Sequence, residues 1–273
     1  MPNDSGRQRA KRRAEQFVHR ERAFRLGTLL TESSHPKTAT LSQTIQQDAR
    51  AGIRMLVSVD EEIAPAEAKV FLSAEYVRLV DGLTRALAGG KRVFFTGCGA
   101  TGRLSILLEA AWRQFWQRLR SERPELAAKL PDLEDRVSSV MAGGDYALIK
   151  SVEGFEDFPR FGRYQLEEAG VAAGDVVVAI TEGGETPFVI GTAWQGLESG
   201  AEVFFVFNNP AELLCRHVER SRQVIEEPRI TKLDLTTGPM AVAGSTRMQA
   251  TSAELLVVGA ALETALKRIL EQH

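Results

Sequence analysis

The chain has 273 residues, of which 44% are hydrophobic, and its formal net charge is −2. This composition favours one large domain, or one domain with helical extensions, and gives no general attraction to nucleic acid. Cys98 and Cys215 lie far apart, and the four histidines do not cluster, so neither a disulfide framework nor a metal site is expected. Neither a signal peptide nor the ~20-residue apolar run of a membrane span is found. We expect a cytoplasmic protein.

Three regions follow from the distribution of charge and apolar residues. Residues 1–28 are predicted to form a basic helical arm, residues 29–90 a helical segment, and residues 91–273 an α/β domain. The arm is rich in Arg and Lys, but no helix-turn-helix pattern follows it. A solvated terminus is therefore favoured over an arm that binds nucleic acid.

Helical and strand patterns alternate after the arm. The predicted helices span residues 43–58, 66–87, 103–120, 147–153, 163–169, 188–199, 211–220 and 246–271. The predicted strands span 92–96, 137–141, 175–180 and 202–207, with a fifth strand at 223–225. Near-continuous apolar runs such as Asp175–Ile180 are typical of parallel strands that are covered on both faces. The alternation predicts a mostly parallel sheet between two layers of helices.

The glycine-rich segment Lys91–Arg103, K-R-V-F-F-T-G-C-G-A-T-G-R, joins a strand to a helix. Glycines permit tight turns, and a helix N-terminus favours an anion. The spacing formally matches a dinucleotide fingerprint, which expects an acidic residue roughly 20 residues later. Here the next strand comes only about 40 residues on. Thr101 and Arg103 suit a single phosphate, so we expect no nicotinamide or flavin cofactor.

Two further small-residue loops precede predicted helices: T-E-G-G-E-T-P at Thr181–Pro187 and G-S-T-R at Gly244–Arg247. Carboxyl ends of parallel strands are where such sheets bind ligands. The three loops together predict a sugar phosphate held at several points, although each Ser or Thr also suits a helix cap. The predicted substrate contacts are Gly99, Ala100, Thr101, Gly102, Thr181, Gly183, Gly184, Glu185, Thr186, Ser245 and Thr246.

Seven segments carry a resemblance to sugar isomerase (SIS) domains, in the branch of N-acetylmuramic acid 6-phosphate etherase and glucokinase regulatory protein. They are L-T-E-S-S-H-P-K-T (30–38), G-C-G-A-T-G-R-L (97–104), A-G-G-D (142–145), V-E-G-F-E-D (152–157), T-P-F-V-I (186–190), F-N-N-P (207–210) and G-S-T-R-M (244–248). The resemblance implies a flavodoxin-like α/β/α sandwich with a five-stranded, mostly parallel sheet. It also implies a homodimer and a 6-phosphosugar ligand.

The resemblance further implies two catalytic carboxylates for the etherase reaction. A base takes the C2 proton beside the open-chain aldehyde, and an acid protonates the leaving oxygen. The second carboxylate falls on Glu156, whereas the first falls on Ala111. Glu109 is two residues away, about 200° around the helix, so it faces elsewhere.

Other positions also depart from the etherase pattern. Ala100 stands for a hydroxyl residue, Gly183 for a serine, Glu185 for an arginine and Gln249 for a lysine. These changes favour a phosphosugar-binding protein of altered or absent activity. Three alternatives stay open: a working etherase with Glu156 as acid or base, an aldose–ketose isomerase with Glu153 or Glu156 as base, and a regulator that acts through a protein partner.

Overall fold

The computed structural model describes residues 4–20, 26–150, 152 and 154–272. Its α-helices are α1 (Asp4–Arg20), α2 (Leu41–Gln47), α3 (Ala49–Asp60), α4 (Ile63–Phe71), α5 (Ala74–Ala88), α6 (Gly99–Glu122), α7 (Pro124–Ala127), α8 (Tyr146–Ile149), α9 (Pro159–Glu168), α10 (Pro187–Glu198), α11 (Ala211–His217), α12 (Glu219–Glu226) and α13 (Gln249–Leu270). Its strands are β1 (Val93–Gly97), β2 (Val137–Met141), β3 (Val176–Thr181), β4 (Glu202–Phe207) and β5 (Ile230–Asp234). In the part of the chain so described, no helix is both long and apolar enough to cross a membrane.

The five strands form one parallel sheet in the order β2-β1-β3-β4-β5. This order confirms the flavodoxin-like arrangement predicted from the sequence. The chain runs outward from β1 to β2 on one side and from β3 to β5 on the other. The carboxyl ends of β1 and β3 therefore form the topological switch point, where ligands bind in sheets of this kind.

Each face of the sheet is covered by its own helical layer, because successive side chains of a strand point to opposite faces. On one face Phe95 packs in a cluster with residues of α5, α6 and α13. On the other face Phe94 packs with residues of α9, α10 and α12. Both phenylalanines are almost fully buried, which explains why β1 reads as a continuous apolar run.

The predicted fifth strand at 223–225 is wrong, because these residues lie in α12 and the strand is Ile230–Asp234. β5 pairs only with β4, so it is an edge strand. Ile230 and Leu233 are buried, whereas Thr231 and Lys232 are only partly covered. An edge strand with polar residues lacks the uniform apolar run that identifies the central strands.

Two predicted helices are each divided by a capping residue. Asp48 separates α2 from α3, and its carboxylate accepts from the backbone N–H groups of Arg50 and Ala51. Ser73 separates α4 from α5, and its hydroxyl accepts from Tyr76 N at 3.1 Å. A side-chain cap of this kind accepts hydrogen bonds from N–H groups that are unpaired at the start of a helix. One helix can therefore end and another begin while the apolar spacing of the sequence continues.

Candidate functional site

The first glycine loop is shorter than the sequence predicts, because Gly97 ends β1 and α6 already begins at Gly99. A Cβ atom at Gly97 would lie 2.5 Å from the Thr101 carbonyl carbon, and one at Gly102 would lie 2.5 Å from Met141 Cγ. Gly99 has a φ of +51°, in the left-handed region. These glycines bring the N-terminus of α6 close to the ends of β1 and β2.

Thr101 is engaged within this turn. Its hydroxyl accepts from Cys98 N at 2.9 Å and donates to Cys98 O at 2.8 Å, and its exposed fraction is 1%. Its hydroxyl therefore acts as a cap for α6.

A cavity of about 790 Å³ lies at the carboxyl ends of β1 and β2. The residues that line it include three basic ones, Arg103, Lys150 and Arg247, and one acidic one, Glu156. The rest of its wall consists of small and apolar residues, namely Gly99, Ala100, Met141, Ala142, Ala147, Leu148, Ile149, Val152 and Phe155. Of the predicted substrate contacts, Gly99 and Ala100 lie on this wall.

The second loop, Thr181–Pro187, turns tightly at the end of β3. Thr181 and Thr186 share a hydrogen bond between their hydroxyl oxygens at 3.0 Å, and Thr186 precedes Pro187, the first residue of α10. Gly184 has a φ of +76°, and its carbonyl accepts from Ser221 Oγ at 2.7 Å. The loop is thus fixed from behind by α12.

Glu185 belongs to this loop but forms an ion pair. Its Oε2 lies 2.8 Å from Arg220 Nη2, and both side chains are about three-quarters buried or more. Its charge is therefore compensated by a residue of α12, outside the cavity wall.

The third loop brings α13 to the cavity. Ser245 and Thr246 are half-buried, and α13 begins at Gln249, later than predicted. Gly244 N donates to Thr31 O at 3.0 Å. Arg247, which follows directly, is the residue of this loop that lines the cavity.

Asn209, fully buried after β4, joins the N-terminal segment to the second loop. Its Oδ1 accepts from Leu30 N and Thr31 N at 2.9 and 3.3 Å, and its Nδ2 donates to Gly183 O at 2.9 Å. Sequence reasoning did not assign Asn209 a role, although it noted the F-N-N-P segment. The local sequence pattern does not show that one side-chain amide will join two segments that lie far apart in the chain.

The two positions of the expected carboxylate pair lie in different surroundings. Glu156 is exposed on the cavity wall, and its carbonyl accepts from Phe188 N at 3.0 Å. Ala111 is exposed on α6 and does not line the cavity. Glu109 accepts from Ser139 N at 2.7 Å and pairs with Arg113 at 2.9 Å, so it anchors α6 to β2. Glu153 lies outside the described residues.

Cys98, at the switch point, is buried. Burial raises the pKa of its thiol, and Glu156, Glu182, Glu185 and Asp157 each raise it further. The thiol therefore stays protonated and is a poor nucleophile.

Glu182 is a further titratable residue at this point that sequence reasoning missed. Burial raises its pKa to about 7, while a hydrogen bond from Thr251 and the nearby Arg247 oppose the shift. Thr251 Oγ1 donates to Glu182 Oε1 at 3.0 Å. Lys150 and Arg247 were also missed, because only the folded chain brings them to one cavity.

The site thus lies on a parallel sheet of order β2-β1-β3-β4-β5, with its cavity at the carboxyl ends of β1 and β2. Residues 75–195 match the model of the glucokinase regulatory protein N-terminal SIS domain. A phosphoheptose isomerase from Francisella tularensis has a similar fold, with a TM-score of 0.50 and 14% identity over 81% of this chain and 98% of that one. This structural likeness concerns the fold alone.

Relatives found by sequence narrow the class of protein to which the chain belongs. The chain is 32% identical over 243 residues to N-acetylmuramic acid 6-phosphate etherase of Prochlorococcus marinus strain MIT 9313, covering 89% of this chain and 67% of the relative. It is also 32% identical over 241 residues to the etherase of Gloeobacter violaceus, covering 88% and 69%. The chain belongs to the SIS-domain family, in the branch of N-acetylmuramic acid 6-phosphate etherase and glucokinase regulatory protein. The chain spans about two thirds of the length of these etherases.

Proposed function

We propose that the chain binds a sugar 6-phosphate in the cavity at the ends of β1 and β2. The observation that carries this proposal is the convergence of Arg103, Lys150 and Arg247 on one cavity beside the N-terminus of α6. These residues come from three separate parts of the chain. Like charges at one place repel one another, so such an arrangement favours an anionic ligand that compensates them.

A phosphate group fits this end of the cavity for two reasons. The first turn of α6 has N–H groups without partners in the helix and a partial positive charge. Guanidinium groups bind phosphate through paired hydrogen bonds, and Lys150 adds a point charge. The cavity is also large enough for a hexose, and its apolar side suits the carbon face of a sugar ring.

Binding without etherase turnover is the favoured form of this function. Elimination of the lactyl ether needs both a base and an acid. Glu156 lies on the cavity wall and suits either role, but Ala111 supplies no second carboxylate and Glu109 is bound to Ser139. Because Glu156 is present, a working etherase with Glu156 as acid or base is the second candidate. We also propose a homodimer with sites near its interface, and a protein partner if the role is regulatory.

Thermal unfolding with hexose and hexosamine 6-phosphates tests the proposal. A ligand at 100 times its Kd stabilises the folded state by about 2.7 kcal/mol, which corresponds to a shift of roughly 5–10 °C for a chain of this size. Arg247→Gln is expected to reduce the shift, because it removes a cation from the cavity. Arg163→Gln, on α9 and paired with Glu198 outside the cavity, is the matched control.

Two outcomes decide between the candidates. If no phosphosugar shifts the melting temperature, or if Arg247→Gln leaves the shift unchanged, the cavity is not the proposed site. Incubation with N-acetylmuramic acid 6-phosphate reports turnover. Lactate release that Glu156→Gln abolishes would establish the etherase in place of a binding protein.

A further inference from the structure

One side of the cavity is apolar and open to solvent. Leu148, Ile149 and Phe155 lie on its wall, and their exposed fractions are 49%, 83% and 37%. Large apolar side chains that line a concave site and remain exposed are typical of a surface that a ligand covers. The proposed phosphate site does not account for them, because a phosphate group has no apolar surface.

Phe155 is held in place by aromatic neighbours. Its ring stacks on Phe161, with 4.8 Å between the ring centroids and 19° between the planes, and Phe158 meets Phe161 edge-on at 5.6 Å. Phe161 belongs to α9, which lies directly against α10, since a Cβ atom at Gly191 would be only 2.0 Å from Pro159 O. Aromatic pairs of this geometry stabilise each other beyond the area they bury. Phe155 therefore presents a positioned aromatic surface to the cavity.

The apolar side is adjacent to the basic residues. Lys150 directly follows Leu148 and Ile149 in the chain, and all three line the cavity. An anionic group at Lys150 is thus held next to apolar surface. The volume of about 790 Å³ lies in the range of about 300–1,000 Å³ that holds drug-sized ligands, which are larger than a hexose phosphate. The carbon face of a hexose suits part of the apolar side, whereas its hydroxyls find no hydrogen-bond partner among the side chains there.

We propose that this apolar side is a subsite for an apolar substituent of the bound sugar phosphate, and that Phe155 is its main contact. The inference rests on the proposed function and names its substrate class: a sugar 6-phosphate that carries an aryl or alkyl group on the ring. Arg103, Lys150 and Arg247 bind the phosphate, and the substituent covers Phe155 and its apolar neighbours. Affinity then rises with the apolar area removed from water.

Titration calorimetry with two matched pairs of ligands tests the inference. Within each pair only the size of the apolar group differs: methyl and phenyl β-glucoside 6-phosphate, and N-acetyl- and N-benzoylglucosamine 6-phosphate. We expect the aryl member of at least one pair to bind about tenfold more tightly than the small member. Phe155→Ala should reduce this ratio to about twofold or less and change the affinity for the small member by no more than about twofold. Phe155→Leu keeps apolar surface and should retain a ratio of about fivefold.

Ile149→Ser is a second variant, because a side chain that is 83% exposed can be replaced without unfolding the chain. It should also lower the ratio. Leu72→Ser is the matched control, since Leu72 is 87% exposed and does not line the cavity, and it should leave the ratio unchanged. Phenyl β-glucoside without the phosphate should bind at least about tenfold more weakly than its 6-phosphate. Equal binding would mean that aryl groups are held independently of the phosphate site, and would overturn the inference.

The remaining outcomes separate the inference from the proposed function. If both pairs show equal affinities, or if glucose 6-phosphate binds and none of the four derivatives does, the cavity binds phosphosugars but has no apolar subsite. If Phe155→Ala and Ile149→Ser both keep the ratio, these residues do not form the subsite. Sedimentation of the same variants tests a second copy of the chain as the occupant. A changed oligomeric state together with no aryl preference would assign the apolar side to a contact between subunits. Absence of binding by glucose 6-phosphate and by all four derivatives overturns both proposals.

Discussion

Two groups of carboxylates in this molecule differ in how their charge is compensated. Near the carboxyl ends of the central strands, Glu156 is exposed to solvent and Glu185 is paired with Arg220 at 2.8 Å. Between α4, α13 and the sheet, Glu67 and Glu254 have exposed fractions of 0%. Within the described part of the chain, none of their four carboxyl oxygens has a hydrogen-bond partner.

Burial changes the protonation of the interior pair. Burial raises the pKa of Glu67 to about 7, and Asp234 adds to this shift while Lys69 opposes it. Burial also raises the pKa of Glu254 well above its ordinary value, and the charges of Glu182 and Glu67 act in the same direction. A buried charge without a partner is costly, so burial favours the neutral form of both acids. The position of a glutamate in this fold therefore decides whether its carboxyl group has a compensating partner or solvent, or is packed in the interior without either.

The largest expected effect comes from Glu254→Gln, which removes the ionisable group from the interior. The folded wild type must either keep a proton that the unfolded chain releases or bury an uncompensated charge. Its stability should therefore fall as the pH rises above about 4.5, whereas the variant should not show this fall. We expect the variant to be more stable by about 3 kcal/mol at pH 8.5 and nearly equal to wild type at pH 4.5. Urea unfolding at both pH values measures the difference.

Glu263→Gln is the matched control for this variant. Glu263 lies on the same helix, is 67% exposed and pairs with Lys267 at 2.8 Å. Its replacement should change stability by less than about 0.5 kcal/mol at either pH. If Glu254→Gln behaved like the control at pH 8.5, the contrast between the two regions would not hold.

Glu67→Gln is expected to give a smaller effect with a defined pH window. The folded pKa is about 7 and the ordinary value is 4.5. The folded pKa is raised, so the wild type loses stability as the pH rises between these values and is level above them. Each pH unit corresponds to about 1.4 kcal/mol, and we expect a total of about 2 kcal/mol after relaxation around the site. Free energies of unfolding measured at intervals of half a pH unit show this pH range. A difference between variant and wild type that continues to grow above pH 8 would contradict the prediction.

The sequence predicts the central strands well because burial on both faces leaves a clear apolar run. Val176–Thr181 is buried throughout, and the run is predicted almost to its ends. The edge strand Ile230–Asp234 is not predicted, because Thr231, Lys232 and Asp234 are polar and remain partly exposed. The sequence also does not predict that two helices are interrupted at Asp48 and Ser73. A capping side chain ends one helix and starts another without changing the spacing of the apolar residues.

The candidate site was predictable only in part. Gly99 and Ala100 lie on the cavity wall because Gly97 and Gly102 let α6 start against the sheet, and this requirement is visible in the glycine spacing. Lys150 has no local signal, since a single exposed lysine is ordinarily solvated. Glu182 was visible only as one acid in a loop. Its raised pKa comes from burial in the folded chain, and Thr251 and Arg247, which oppose the shift, lie far along the chain.

The smallest expected effect concerns the compensated carboxylate, Glu185. Arg220→Gln removes the ion pair and the hydrogen bond that Arg220 Nε donates to the Glu185 carbonyl. Both side chains keep some contact with solvent, so the exposed charge can be hydrated and the loss should be only about 1 kcal/mol. A double-mutant cycle with Glu185→Gln isolates the pair, and its coupling should decrease in 1 M salt. A coupling as large as the Glu254 effect would mean that Glu185 is as poorly solvated as the interior pair. A coupling near zero would mean that hydration alone compensates it, and that Arg220 serves chiefly to hold the second loop through the carbonyl.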